Sequence, residues 1–355
     1  MRVPRTTWAR LALIVPAFAL IVVLLAWRAP QWNLVADAFQ LVTWRWVVAA
    51  IGLNLLSVVA RAAAWNQVIE QGMPPPRPRF RTVFSAFGVG LFANAVLPGR
   101  IGELARVAVL TRRRQRGRGA WATLVGTVFA HRVFDLFPML LLIGYVLATA
   151  KIPHWALTSL MIFVAVGFGL FAFALAGARR HHRSVLEGAG RLRRLVTMAR
   201  QGLGVMRAPV PAAVAALLQC LGWSCQLLAV WATMRAFDIH APLPAAGLVL
   251  VLMNVAMLFP LWPGNVGLVQ AAVALPLVSY GVAYAKGFAF GIGLQAIEMS
   301  VGVGVGLLFL AREGLSFAML KRMPGADQAE VAPAAEEADP ARLEEPARER
   351  ARISG

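Results

Sequence analysis

Long apolar stretches, separated by short basic links or by Pro-Gly breaks, dominate the pattern of this chain. The stretches cover residues 11–27, 44–64, 80–97, 120–148, 155–176, 210–236, 244–261 and 286–311, with shorter apolar pieces at 101–110 and 266–280. A helix of about 20 apolar residues crosses a hydrocarbon core of roughly 30 Å. The pattern therefore predicts an all-α, polytopic helical membrane protein, with residues 1–322 as its membrane domain. The first run follows Arg2, Arg5 and Arg10 and so resembles a signal peptide. It is long for one, and no small-x-small cleavage site follows Trp27, so it reads as an uncleaved span.

Composition strengthens this. Of 355 residues, 59% are hydrophobic and 14% charged, a balance that cannot clothe a water-facing surface. The net charge of +19 is unevenly divided: residues 323–355 hold eight acids and four Arg, which leaves the preceding 322 residues at +23. Such a basic membrane domain reports the positive-inside rule and contact with anionic lipid rather than nucleic acid. The Ala/Pro/Glu-rich tail 323–355 has no apolar periodicity and reads as a disordered cytoplasmic segment. Cys220 and Cys225 share one apolar run and read as helix-packing residues. No metal-ligand spacing is present, so neither a metal nor a cofactor is expected.

Charge also sets the orientation. Basic clusters at Arg2/Arg5/Arg10, Arg77/Arg79/Arg81, Arg112–Arg118, 179–207 and Lys321/Arg322 mark the cytoplasmic side, and the links 149–154 and 237–243 face out. Both flanks of 80–111 are then cytoplasmic, and both flanks of 244–280 are external. Each region must leave and return on one side, as a re-entrant hairpin or a pair of spans. The favoured arrangement is six full spans plus two opposed re-entrant hairpins in an inverted repeat, with both termini cytoplasmic. An 18-residue arm is about 27 Å long, so partial insertion needs tilt or a kink. The stretch 179–207 reads as a cytoplasmic amphipathic segment on anionic headgroups, although a plain basic loop fits too.

The breaks carry the chemistry. Pro98-Gly99-Arg100-Ile101-Gly102 and Pro263-Gly264-Asn265-Val266-Gly267 share one pattern, each after a long apolar arm. Pro-Gly ends a helix and permits a sharp turn. The restarting helix offers free N–H groups and the positive end of its dipole to an anion. Arg100 and Arg106 add charge suited to phosphate. Paired broken helices point to a transporter's binding site. A structural turn is the other reading of the first break, with Glu103 capping its helix and pairing with Arg106.

Two further polar sites lie at membrane depth. His131, Arg132 and Asp135 fall about 16–23 Å into their span, and Arg132 and Asp135 are spaced for an ion pair. Glu298 shares a helical stripe with Gly287, Gly291, Gln295, Gly302 and Gly306. It therefore faces the bundle as a proton carrier, a partner for Arg132 or Arg106, or a structural acid. Charged groups at such depth are expensive and are functional by default.

Together these motifs resemble the lysylphosphatidylglycerol synthase transmembrane-region family, also called flippase-like. Asn94, Leu97-Pro98, Arg100, Gly102-Glu103 and Arg106 match its first motif. His131-Arg132-Val133-Phe134-Asp135 stands for its Glu-Arg-x-x-Asp, and Pro263 to Gln270 for its Pro-Gly-Gly-x-Gly-x-x-Glu. The resemblance covers roughly residues 10–312. It implies a domain that moves phospholipids or related lipids between leaflets. His131 and Gln270 replace two acids and Asn265 a glycine, which leaves Glu103, Asp135 and Glu298 as protonatable groups. No soluble aminoacyl-transferring domain follows residue 322, so lipid lysylation is not expected.

The expected function is a lipid translocase for an anionic or polar-headed lipid. Its substrate-binding residues are Asn94, Pro98, Gly99, Arg100, Gly102, Glu103, Arg106, Arg132, Asp135, Pro263, Gly264, Asn265, Gly267, Gln270 and Glu298. The alternatives are a small-solute secondary transporter of similar architecture and a non-transporting partner of a lipid-modifying enzyme. A membrane enzyme would need a nucleophile or a metal cluster, and the sequence offers neither.

Overall fold

The computed structural model describes residues 32–73, 75–96, 101–113, 120–152, 157–158, 209–257 and 265–312. The expected span 11–27, nearly all of 155–176, the basic segment 179–207 and the tail 323–355 lie outside these residues. So do Pro98, Gly99, Arg100, Pro263 and Gly264.

Among the described residues the regular structure is all helical. The elements are α1 (Trp32–Gln40), α2 (Trp44–Gly72), α3 (Phe80–Val96), α4 (Gly102–Arg113), α5 (Ala120–Thr149), α6 (Pro209–Ala236), α7 (Leu243–Met257), α8 (Leu268–Val278) and α9 (Tyr284–Arg312). Four apolar helices, α2, α5, α6 and α9, are long enough to cross a membrane. They coincide with the runs at 44–64, 120–148, 210–236 and 286–311. The chain is a multi-pass membrane protein. The short α1 is not legible as an apolar run. It buries Val35 and Ala38, and sets the Trp32 ring edge-on to Phe288 of α9 at 6.0 Å.

Helix lengths repeat along the chain. The set α2–α5 has 29, 17, 12 and 30 residues; the set α6–α9 has 28, 15, 11 and 29. The leading helices α2 and α6 run antiparallel against each other. At one end the Thr43 N–H donates to Ala236 O at 2.9 Å, and further along Gly222 lies against Arg61. Each short arm crosses to the other set, α3 packing on α9 and α7 on α5. Two sets of like order, opposed in direction, thus interlock.

Glycine lets these backbones approach. A Cβ on Gly90 would lie 2.8 Å from the Gly102 carbonyl, and one on Gly102 would collide with the Gly90 carbonyl and the Asn94 amide. Only glycine at both positions lets α4 fold back on α3. The glycine stripe on α9 serves two partners. Cβ atoms on Gly287 and Gly291 would come within 3.1 Å of Ala274 and Gln270 of α8, whereas Gly306 abuts Phe92 and Gly88 of α3. Small residues let helices pack closely where lipid gives no hydrophobic drive between them. The start of α8 reaches α9 at Gly291, and the end of α3 reaches it at Gly302, beside Ala95. Both broken segments therefore converge on the middle of α9, with Glu298 between their contacts.

Polarity follows the same plan. Large apolar side chains such as Val48, Leu56, Phe129, Leu136, Leu140 and Leu217 are exposed, whereas Asn54, Ser57, Arg106, His131, Asp135, Gln219, Gln270 and Gln295 are buried. A bilayer demands this arrangement, since buried polar groups find partners only inside the bundle.

Candidate functional site

A chain of charged groups crosses the interior from α4 to α9. Glu103 pairs with Arg106, one helical turn on in α4, and with Arg132 of α5. Arg132 Nη1 also donates to Asp135 Oδ2 at 3.1 Å. The other Asp135 oxygen accepts from Gln219 Nε2 at 2.7 Å, Trp223 Nε1 at 3.1 Å and Arg61 Nη2 at 3.2 Å. Arg61 Nη1 donates to Gln226 Oε1 at 3.4 Å, and Gln226 Nε2 to Glu298 Oε1 at 3.3 Å. Three guanidiniums thus alternate with three carboxyls across five helices.

The cations differ in access. The Arg106 side chain is 5% exposed, and its guanidinium lies 4.5 Å from the Trp65 ring centroid and 5.5 Å from that of Phe87. It is sealed between aromatic faces. Such contacts compensate a desolvated cation in part, though its Nε lacks a hydrogen-bond partner. The Arg132 side chain is 50% exposed. It sits at the edge of the outward apolar face of α5, one turn from the exposed Phe129 and Leu136. Its guanidinium pairs with two acids while half of the side chain stays exposed. His131 is buried beside Phe87, with ring centroids 6.3 Å apart. Its Nδ1 has no hydrogen-bond partner.

One N–H at each half-helix start is held by a side-chain amide. The Gly102 N–H donates to Asn94 Oδ1 at 2.8 Å, so Asn94 caps the helix and Glu103 is left for its two arginines. At the second break the Gly267 N–H donates to Gln270 Oε1. Gln270 Nε2 in turn donates to Gln295 Oε1 of α9 at 2.6 Å. Asn265, with φ 45°, donates through Nδ2 to Ala256 O at 3.1 Å, closing α8 back on α7. The expectation of free N–H groups at Gly102 and Gly267 is thus corrected. An amide side chain covers each start, because a buried donor left unpaired costs about 1–3 kcal/mol. Glu298 likewise meets Gln226 instead of Arg132 or Arg106, both of which Glu103 holds.

The transmembrane-region model of lysylphosphatidylglycerol synthase matches residues 8–306. The chain belongs to that family. No curated protein and no solved structure matches it. A member of this lysylphosphatidylglycerol synthase transmembrane family is a membrane protein related to lipid handling.

Of the residues singled out from sequence in this family member, the structure brings Glu103, Arg106, Arg132 and Asp135 into one cluster. Asn94 and Gly102 form the adjoining turn. Asn265, Gly267 and Gln270 form a separate amide set that touches α9 at Gln295, one turn before Glu298. Sequence reasoning missed Arg61, Gln219, Trp223 and Gln226. Gln219, Trp223 and Gln226 follow i, i+4, i+7 spacing on α6 and so form a polar stripe in an apolar helix. Arg61 is a charge within the apolar run 44–64, and a charge at membrane depth is itself the signal.

Proposed function

We propose that this protein is a lipid translocase that moves an anionic or polar-headed lipid between leaflets. Arg132 carries the proposal: half-exposed on an apolar helix face, it still pairs inward with Glu103 and Asp135. A guanidinium in that position can take a lipid phosphate through paired donors while the acyl chains stay in hydrocarbon. The headgroup competes with Glu103 for Arg132, which loosens α4 from α5. The two sets run in opposite directions, which fits alternate opening about the point where both broken segments reach α9. In this reading 80–111 and 244–280 are re-entrant hairpins, both termini are cytoplasmic, and the protein resides in a bacterial inner membrane. It acts as a transporter rather than an enzyme.

The test is leaflet exchange of fluorescent phosphatidylglycerol in proteoliposomes. Exchange by the wild type and its loss in Arg132→Gln are expected. No exchange beside uptake of a soluble anion identifies a small-solute transporter and overturns the proposal. Inactivity in both assays does so in favour of a non-transporting partner.

A further inference from the structure

Arg61 joins the two parts of the polar chain, with Asp135 on one side and Gln226, the partner of Glu298, on the other. Its Nη2 pairs with Asp135 at 3.2 Å and its Nη1 donates to Gln226 at 3.4 Å. Its guanidinium carbon lies 5.6 Å from the Trp223 ring centroid, and the same indole donates to Asp135. The stem passes directly over Gly222, where a Cβ would come 2.7 Å from Arg61 Cγ. Any larger residue at 222 would push the side chain off this path.

The consequence falls on Gln226. An amide has one acceptor oxygen and one donor nitrogen. Arg61 engages the oxygen, so the nitrogen is left to face Glu298 Oε1 at 3.3 Å. In this state Glu298 meets a donor, which suits a carboxylate. The helices packed on α9 are α1, α2, α3, α6 and α8. Their charged residues are Asp37 on α1, Arg45, Arg61 and Glu70 on α2, Arg81 on α3 and Arg235 on α6, with none on α8. All except Arg61 lie nearer the helix ends. Lys286 and Arg312, on α9 itself, lie near its termini.

We infer that Arg61, acting through Gln226, is a positioning residue that links occupancy of the Glu103–Arg132–Asp135 cluster to protonation of Glu298. The inference rests on the lipid reading above. An anionic headgroup on Arg132 withdraws it from Asp135 Oδ2. Asp135 then draws Arg61 away from Gln226. The freed amide turns its oxygen towards Glu298, which accepts one proton from solvent and donates it in a hydrogen bond to that oxygen. One proton is taken up for each anion bound. Lower pH therefore strengthens lipid binding, and lipid binding raises proton occupancy by the same factor, as linkage requires.

The test uses the protein in detergent, with short-chain ether-linked phosphatidylglycerol, which has no ester carbonyl, as the probe. In the wild type, infrared difference spectra on lipid addition gain a protonated-carboxyl stretch, which Glu298→Gln removes. Lipid affinity rises as pH falls, by at most about tenfold per pH unit, the limit for one linked proton. A methionine at position 61 keeps a stem over Gly222 but has no donor for Asp135 or Gln226, so Arg61→Met loses both the band and the pH slope. Gln226→Leu, which leaves the Arg61–Asp135 pair in place, loses them too while still binding lipid at neutral pH. No band in the wild type, or a band and slope retained in both variants, overturns the inference. Lipid binding with the band but without leaflet exchange would remove the transport reading and leave the coupling. Exchange with pH-independent binding and no band would do the reverse.

Discussion

Asp135→Asn is the sharpest perturbation of this interior. The wild-type carboxylate accepts from four donors, two of them guanidiniums. Asparagine keeps one oxygen for Gln219, Trp223 and Arg61, but turns an N–H donor towards Arg132 Nη1, which now stands 3.1 Å from Oδ2. The bonds from Gln219 and Trp223 lose their ionised acceptor, the Arg132 bond is lost, and the half-buried Arg61 keeps its charge without a counter-ion. Hydrogen bonds to charged groups contribute about 1.5–3 kcal/mol each, and breaking a buried pair from one side costs about 3–5 kcal/mol. The expected destabilisation is therefore about 3–5 kcal/mol. Reversible unfolding in mixed detergent–SDS micelles, followed by tryptophan fluorescence, measures it. Adding Arg61→Gln to Asp135→Asn should recover part of the loss, because the stranded cation goes too. A single variant within about 0.5 kcal/mol of the wild type, the range of an ordinary surface change, would refute the reasoning.

Three further outcomes follow from the same contacts. Gly102→Ala drives a Cβ into the Gly90 carbonyl and the Asn94 amide, and should cost about 1–3 kcal/mol in the same unfolding assay. Trp223→Phe keeps a ring face beside Arg61 but removes the indole donor to Asp135, with an expected loss of about 1.5–3 kcal/mol. On the loop after α6, the Lys286 ammonium bonds Asp238 Oδ2 at 3.0 Å and holds that carboxyl below its usual range, with a smaller contribution from His240. A depressed carboxyl contributes stability above its unfolded value near 3.9 and loses it as pH falls through the folded value. Asp238→Asn should therefore melt below the wild type at neutral pH, and the two should converge in acid. Asparagine tolerates the left-handed backbone there, φ 53°.

Much of the frame was legible because membranes impose a simple code. Runs of apolar residues marked α2, α5, α6 and α9, and the Pro-Gly breaks fall beyond the described ends of α3 and α7. Local spacing also exposed the Arg132–Asp135 and Glu103–Arg106 pairs, each three residues apart on one helix. The Glu103–Arg132 pair was not legible, because it depends on how α4 docks on α5. Arg61 escaped for the same reason: its partners Asp135 and Gln226 are 74 and 165 residues away. The capping of Gly102 by Asn94 and of Gly267 by Gln270 was hidden as well. Sequence shows that a helix starts after a break, but not which side chain folds back over it.

In the proposed function a lipid headgroup enters the Glu103–Arg132–Asp135 cluster from the apolar face of α5. Photo-crosslinking in proteoliposomes with phosphatidylglycerol that carries a photoreactive group on its glycerol headgroup tests this most directly. The adducts are then mapped by peptide mass spectrometry. Adducts are expected on α5 between Phe129 and Leu136 and on α4 near Glu103, reduced by Arg132→Gln. Adducts confined to the outer apolar faces of α2 and α6, with an unchanged pattern in that variant, would contradict it.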